Sequence, residues 1–85
     1  MILAVSRIES MGKSITHRDV LERFGMRLQK VRKEKRFSHE ELAAQLSMHR
    51  TYIGMIERGK RNPTIRMLYN IAKALKVSAS ALLPF

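Results

Sequence analysis

The centre of the sequence, residues 38–64, reads SHEELAAQLSMHRTYIGMIERGKRNPT and predicts two short helices with a break at residues 47–49. Ser38 can accept a hydrogen bond from the backbone amide of Glu41 while the Glu41 carboxylate reaches back, an arrangement that starts a helix. Gly59 suits the left-handed position that follows a helix C-terminus, so it ends the second helix. The local chemistry of this stretch therefore indicates a helix, a tight turn and a second helix.

The helical pattern continues on both sides of this central pair. Towards the N-terminus, apolar residues at helical spacing predict a helix from about His17 to Lys35, with an inner stripe of Leu21, Phe24, Leu28 and Val31. Towards the C-terminus, Thr64 can cap a helix over residues 65–75, whose inner face carries Leu68, Ile71, Ala72 and Leu75. A last short helical turn follows at residues 79–83. The sequence therefore predicts an all-α domain of five helices.

The chain is strongly basic for its size. It has 85 residues, of which 17 are Lys or Arg and 7 are Asp or Glu, which gives a formal net charge of +10. Hydrophobic residues make up 45%, an ordinary share for a globular domain, so the charge does not mark a disordered tail. A compact cationic domain is suited to a polyanion, either nucleic acid or an anionic membrane surface.

Composition also disfavours several classes of function. The absence of cysteine excludes disulfides, thiolate zinc sites and thiol nucleophiles. The histidines, His17, His39 and His49, are not spaced as zinc ligands, and no catalytic constellation stands out, so we expect no metal, no cofactor and no enzymatic activity. No apolar run approaches the roughly 20 residues that a membrane span needs. We therefore expect a cytoplasmic protein without a membrane partner.

A short helix pair followed by a basic loop suggests a helix-turn-helix motif. In that motif the first helix packs across the DNA backbone, and the second enters the major groove with its N-terminus leading. Residues in the first turn of the second helix can then reach base edges. The loop here, Lys60-Arg61-Asn62-Pro63, places cations directly after the second helix. Of the two kinds of polyanion, this pattern favours DNA.

The central helices and the loop after them resemble the phage-repressor (Xre-type) helix-turn-helix family, in the runs 38–46, 50–53 and 56–64. The resemblance extends from about Phe24 to Leu83. Within the family, the finer similarity is to the small controller proteins of restriction–modification systems, through residues 49–53, Glu57-Arg58 and Arg61-Asn62. On this basis we divide the chain into an N-terminal extension, residues 1–16, and a helix-turn-helix DNA-binding domain, residues 17–85.

The resemblance implies three groups of site residues. Side chains that face bases are implied at Arg50, Thr51 and Met55, and the planar fork of Arg50 matches O6 and N7 of guanine. Contacts to the DNA backbone, or mixed contacts, are implied at His39, Tyr52, Arg58, Lys60, Arg61 and Asn62. A structural ion pair is implied between Arg32 and Glu57, in which the acid orients an arginine that faces the phosphates.

The sequence departs from the family pattern at several helix ends. Positions that commonly hold glycine are occupied by Arg36, Ser47 and Lys76. Each is expected in the left-handed conformation near a helix C-terminus, where a residue other than glycine is strained. His49 stands where Ser, Thr or Asp usually caps the second helix of the motif, so we expect that cap to be weaker or made differently.

The implied function is sequence-specific regulation of transcription by a homodimer on double-stranded DNA, at a (pseudo)palindromic operator. One helix-turn-helix reads only a few base pairs, and two-fold symmetry doubles its contacts. A domain of this size must dimerise through its own helices. We expect the interface among apolar residues that exceed the needs of the core: Met67, Tyr69, Leu82, Leu83 and Phe85. A contact with RNA polymerase is left open.

A restriction–modification controller is the assignment that the sequence favours among regulators. A phage-type repressor and an antitoxin are alternatives, and a protein-bridging adaptor that uses the same fold is an alternative from a different class. The adaptor hypothesis predicts binding without base specificity and little effect of Arg50→Ala. Neighbouring genes distinguish the others, because an antitoxin predicts an adjacent toxin gene and a controller predicts methyltransferase and endonuclease genes nearby.

Overall fold

The computed structural model describes residues 17–84, and within that range it contains helices and no strand. The elements are α1 (His17–Glu34), α2 (His39–Gln45), α3 (Arg50–Glu57), α4 (Ile65–Leu75) and a 3-10 turn (Ala79–Leu82). The all-helical prediction is therefore confirmed for this range. The count of five is not, because the last segment is a single 3-10 turn rather than an α-helix. The N-terminal extension, residues 1–16, and Phe85 lie outside the described residues.

Short polar side chains start the helices at the predicted positions. Ser38 Oγ accepts from the Glu41 amide at 3.0 Å, and the Ser38 amide donates to Glu41 Oε1 at 2.8 Å. Thr64 Oγ1 accepts from the amide of Met67 at 3.0 Å at the start of α4. These bonds satisfy amides that have no partner within their own helix, which is why α2 and α4 begin where they do.

One hydrophobic core joins all the elements. The predicted stripe of α1 packs inward through Phe24, Leu28 and Val31, while Leu21 is only half-buried. The core also includes buried residues from each later element: Leu42, Ala43, Ile53, Ile56, Ile71, Ala72, Leu75 and Leu82. Seven of its side chains are less than 2% exposed. This close packing fixes the inner sides of the short helices α2 and α3 against the rest of the domain.

Three helix ends use left-handed residues that are not glycine. The φ angles of Arg36, Ser47 and Lys76 are 63°, 54° and 58°. The residue after each one donates its amide back into the preceding helix: Phe37 to the Arg32 carbonyl, Met48 to the Ala43 carbonyl and Val77 to the Ala72 carbonyl, at 2.9–3.0 Å. The prediction of left-handed backbone at these positions is confirmed. Such a conformation costs a side-chain-bearing residue about 1–2 kcal/mol.

A close approach of two backbones sets the position of α3 against α1. A Cβ atom on Gly25 would overlap the carbonyl oxygens of Ile56 and Glu57. Only glycine fits at this point, because the obstructing atoms belong to the backbone of α3 and cannot swing aside. The C-terminal end of α3 therefore lies directly on α1.

Candidate nucleic-acid interface

The face of α3 that points away from the core carries the residues expected to face bases. Arg50 and Thr51, in its first turn, are exposed, and Met55, one turn later, is half-buried. Ile53 and Ile56 occupy the opposite side and are fully buried. The structure thus brings the base-facing candidates onto one accessible side of a helix.

Tyr52 has a different environment from its neighbours on α3. It is half-buried and packs against the hydrophobic core. Its ring therefore contributes to packing, and only part of the side chain remains accessible for a contact with DNA.

The predicted phosphate-binding residues follow the end of α3. Arg58, Lys60, Arg61 and Asn62 are all exposed. Gly59 between them has a φ of 72°, so the chain turns sharply after α3 and presents these side chains as a basic edge beside the base-facing side. Flexible cations at the rim of a recognition helix are suited to phosphates rather than to base edges.

Arg32 and Glu57 form a buried ion pair between α1 and the end of α3. Arg32 Nε donates to Glu57 Oε2 at 2.5 Å, and Nη2 donates to Oε1 at 3.1 Å. Arg32 Nη1 donates to the carbonyl of Phe37 at 2.7 Å, in the turn between α1 and α2. The expectation that Arg32 faces the phosphates is wrong, because the residue is only 6% exposed and its donors are used within the protein.

His39 also turns towards this pair. Its Nε2 lies 2.9 Å from Glu57 Oε1, and its side chain is 37% exposed. The carboxylate can only accept in this contact, so Nε2 carries the hydrogen. The inner side of the ring is thereby occupied, and any contact of His39 with a phosphate falls to Nδ1 or to the backbone amide.

The start of α3 is capped by an imidazole. His49 Nδ1 accepts from the backbone amide of Thr51 at 3.1 Å. The cap is therefore made differently from the hydroxyl or carboxylate cap that is usual at this position. It requires an unprotonated Nδ1, since a protonated nitrogen cannot accept a hydrogen bond.

A second ion pair, which was not predicted from the sequence, lies on the surface between α2 and α3. Arg50 Nη1 donates to Glu40 Oε2 at 2.9 Å, and the two side chains are 63% and 60% exposed. A hydrogen bond from the Glu40 backbone at the start of α2, and then the bond from Arg50, hold the pKa of the Glu40 carboxyl below its usual range. The only signal in the sequence was the presence of opposite charges at the starts of two adjacent helices.

The predicted dimer residues separate into different environments. Leu82 was wrongly included, because its side chain is fully buried in the core of its own chain. Met67 and Leu83 are half-buried against the core, whereas Tyr69 is 61% exposed. Ile65 was missed, although it lies one turn before Tyr69 on α4 and is 84% exposed.

The described part of the chain contains neither a membrane-spanning helix nor a cluster of metal ligands. None of the helices within residues 17–84 is both long enough and apolar enough to cross a membrane. The His, Asp and Glu side chains that the structure describes, within residues 19–84, form no group that could hold a metal ion.

Known proteins resemble the chain in both sequence and structure. The control protein C.MunI of a Mycoplasma species is 45% identical over 65 residues, covering 75% of this chain and 88% of the relative. The control protein C.BamHI of Bacillus amyloliquefaciens is 43% identical over 63 residues, covering 73% and 78%. The crystal structure of the restriction–modification controller C.AhdI from Aeromonas hydrophila superposes with a TM-score of 0.71 at 36% identity, covering 74% and 96%. A helix-turn-helix family model, HTH_3, matches residues 28–82, and the chain belongs to that family.

Proposed function

We propose that the chain is a sequence-specific DNA-binding transcription regulator that acts as a homodimer on a (pseudo)palindromic operator. The observation that carries the proposal is the accessible side of α3, where Arg50 and Thr51 project from the first turn beside an exposed basic edge. A helix with this arrangement can place its N-terminal residues in the major groove while the cations beside it contact the backbone. The family and the relatives support a role as a DNA-binding regulator.

Within this proposal each exposed residue of α3 makes a different contact with DNA. Arg50 donates two parallel hydrogen bonds to guanine, and Thr51 contacts a thymine methyl group or a phosphate. Met55 makes an apolar contact with a thymine methyl. Backbone contacts come from His39, Tyr52, Arg58, Lys60, Arg61 and Asn62, and they set the register of α3 in the groove.

The proposed dimer uses the exposed side of α4. Tyr69 and Ile65 lie one helical turn apart there and are among the largest exposed apolar side chains of residues 17–84. An isologous two-fold contact pairs the same surface of each protomer. Leu83 lines a surface cleft together with Ile65, and Phe85 is two residues further along the sequence. Met67 lies on the other side of α4 from Ile65 and Tyr69 and is half-buried against the core, so its part in the interface is smaller than the sequence suggested. Two copies of α3 then address two half-sites about one turn of DNA apart, roughly 34–36 Å.

A restriction–modification controller is the specific role that we propose. The support is the similarity to C.MunI, C.BamHI and C.AhdI, which are named as control or controller proteins. The immunity repressor of Bacillus phage phi105 is also similar, at 34% identity, but the match covers only 40% of that protein. Methyltransferase and endonuclease genes beside the gene for this chain would support the controller role, whereas an adjacent toxin gene would contradict it.

Selection from a pool of random DNA duplexes tests the proposed function. The purified chain should enrich a sequence with two-fold symmetry, and the enriched duplex should bind far more tightly than a scrambled one of the same composition. Specific binding in this class typically exceeds non-specific binding by about 10³-fold or more. Equal affinity for all duplexes would contradict sequence-specific regulation and would favour the adaptor alternative.

A further inference from the structure

We infer that Glu40 is a specificity-determining residue, which holds the guanidinium of Arg50 by one nitrogen and leaves its other edge to a guanine. The inference rests on the proposed function, because it concerns how Arg50 selects a base. Glu40 itself is not expected to touch DNA. It acts through Arg50 as a positioning residue, and its effect should appear in the discrimination between duplexes.

The position of the pair between the helices is the first support. Glu40 is in the first turn of α2, and Arg50 is the first residue of α3, so their bond spans the turn of the motif. Both side chains are more than half exposed, and they line one surface cleft together with Thr51 and Arg58. The guanidinium is thus held at the solvent-exposed cleft between α2 and α3. In the proposed complex this cleft faces the base edges in the major groove of DNA.

The second support is that the hydrogen bond to Glu40 uses only one nitrogen of the Arg50 guanidinium and leaves the other two available. Its five N–H groups lie in one plane, and Glu40 accepts only from Nη1, at 2.9 Å. Among residues 17–84, Nε and Nη2 of Arg50 have no protein acceptor. Those two nitrogens form the edge that can donate in parallel to O6 and N7 of guanine. Glu40 can therefore keep its bond while Arg50 reads the base.

The carboxylate has opposite effects on the two components of binding. An arginine that is already ordered loses less rotamer freedom when it meets its base, which favours the correct sequence. The same negative charge repels the phosphates of any duplex, which weakens non-specific binding. Since the pKa of Glu40 is lowered, the carboxylate is ionised at neutral pH and both effects operate there. Loss of Glu40 should accordingly weaken discrimination while it strengthens binding to unrelated DNA.

Matched variants separate the positioning effect from the charge effect. Glu40→Gln and Glu41→Gln each remove one negative charge from adjacent exposed positions, and Gln at position 41 can still complete the capping box at Ser38. Glu40→Ala removes the contact altogether. The affinity of each variant is titrated against the selected duplex and a scrambled duplex at one salt concentration, and thermal unfolding confirms that each variant folds.

The expected result is a change in the ratio of the two affinities. Glu40→Ala should lower this ratio by roughly two- to five-fold per protomer, the range for an exposed ion pair, and Glu40→Gln should lower it less. Glu41→Gln should strengthen binding to both duplexes equally and leave the ratio unchanged. In an Arg50→Ala background, Glu40→Ala should no longer affect the ratio, because the residue that it positions is absent.

Each other outcome overturns the inference in a recognisable way. An unchanged ratio in Glu40→Ala, with a wild-type chain that discriminates, would refute the role of Glu40 and leave the proposed function intact. A higher ratio would mean that Glu40 competes with the base for Arg50. A wild-type chain that does not discriminate would overturn the proposed function together with the inference.

Discussion

Removal of the Glu57 charge should destabilise the fold far more than removal of a surface charge. Glu57→Gln keeps the shape of the side chain but leaves the Arg32 guanidinium, 6% exposed, without a carboxylate. Breaking a buried pair at one partner costs about 3–5 kcal/mol, because an uncompensated charge stays buried. Small domains have a total stability of about 5–15 kcal/mol, so the loss is a large share. The pair also joins α1 to the end of α3, so DNA binding should weaken with it.

Urea unfolding followed by circular dichroism measures this loss, with Glu34→Gln as the control because Glu34 is an exposed carboxylate on α1. The control should leave the midpoint nearly unchanged. The double variant Arg32→Met/Glu57→Leu replaces both charges with apolar groups and should recover much of the stability that Glu57→Gln loses. A cost below about 1 kcal/mol for Glu57→Gln, as for a surface pair, would refute the reasoning. So would a double-mutant cycle without coupling.

Three further predictions concern the helix ends, the basic edge and the dimer. Replacement of each left-handed residue by glycine should raise the free energy of unfolding by about 0.5–1 kcal/mol, because glycine adopts a positive φ without steric strain. Thermal unfolding measures this gain. The positions are Arg36, Ser47 and Lys76. Alanine at Lys60 or Arg61 should make the dependence of log affinity on log salt concentration shallower by about 1 per half-site, on selected and scrambled duplexes alike. A loss of affinity confined to the selected duplex would mean that the residue contacts bases rather than phosphates. Aspartate at Ile65 or Tyr69 should weaken self-association in sedimentation, whereas aspartate at Met26, exposed on α1, should not; an unchanged dimer in all three would exclude the α4 surface.

The features of the fold that depend on nearby residues could be predicted from the sequence. The capping box of α2 and the cap at Thr64 each involve contacts within a few positions along the chain. The helical spacing of apolar residues in α1 and α4 is local in the same sense. Such features are read from residue type and spacing because the interacting groups are fixed by helix geometry. The left-handed backbone at Lys76, by contrast, was expected only from the glycine that the family commonly has at that position.

The features that depend on packing between distant elements could not be predicted in full. An apolar residue such as Leu82 suits either a dimer interface or the core, and its type alone does not distinguish the two. The packing of the 3-10 turn against the other helices buries it in the core. In the sequence, Arg32 resembles the other cations at the end of α1. In the fold it lies next to the C-terminal end of α3, where it is buried and pairs with Glu57. The pairing of Glu40 with Arg50 likewise depends on the angle between two helices.

The central claim is that α3 reads bases through Arg50. The most direct test is a titration of the wild-type chain, Arg50→Ala and Arg50→Lys against the selected and scrambled duplexes at one salt concentration. A bidentate arginine–guanine contact is worth about 1–3 kcal/mol, so two symmetric copies should contribute roughly 2–6 kcal/mol on the selected duplex. Arg50→Ala should lose most of this and little on the scrambled duplex, and Arg50→Lys should recover only part because an ammonium lacks the planar fork. Equal losses on both duplexes, or no loss on either, would contradict the account.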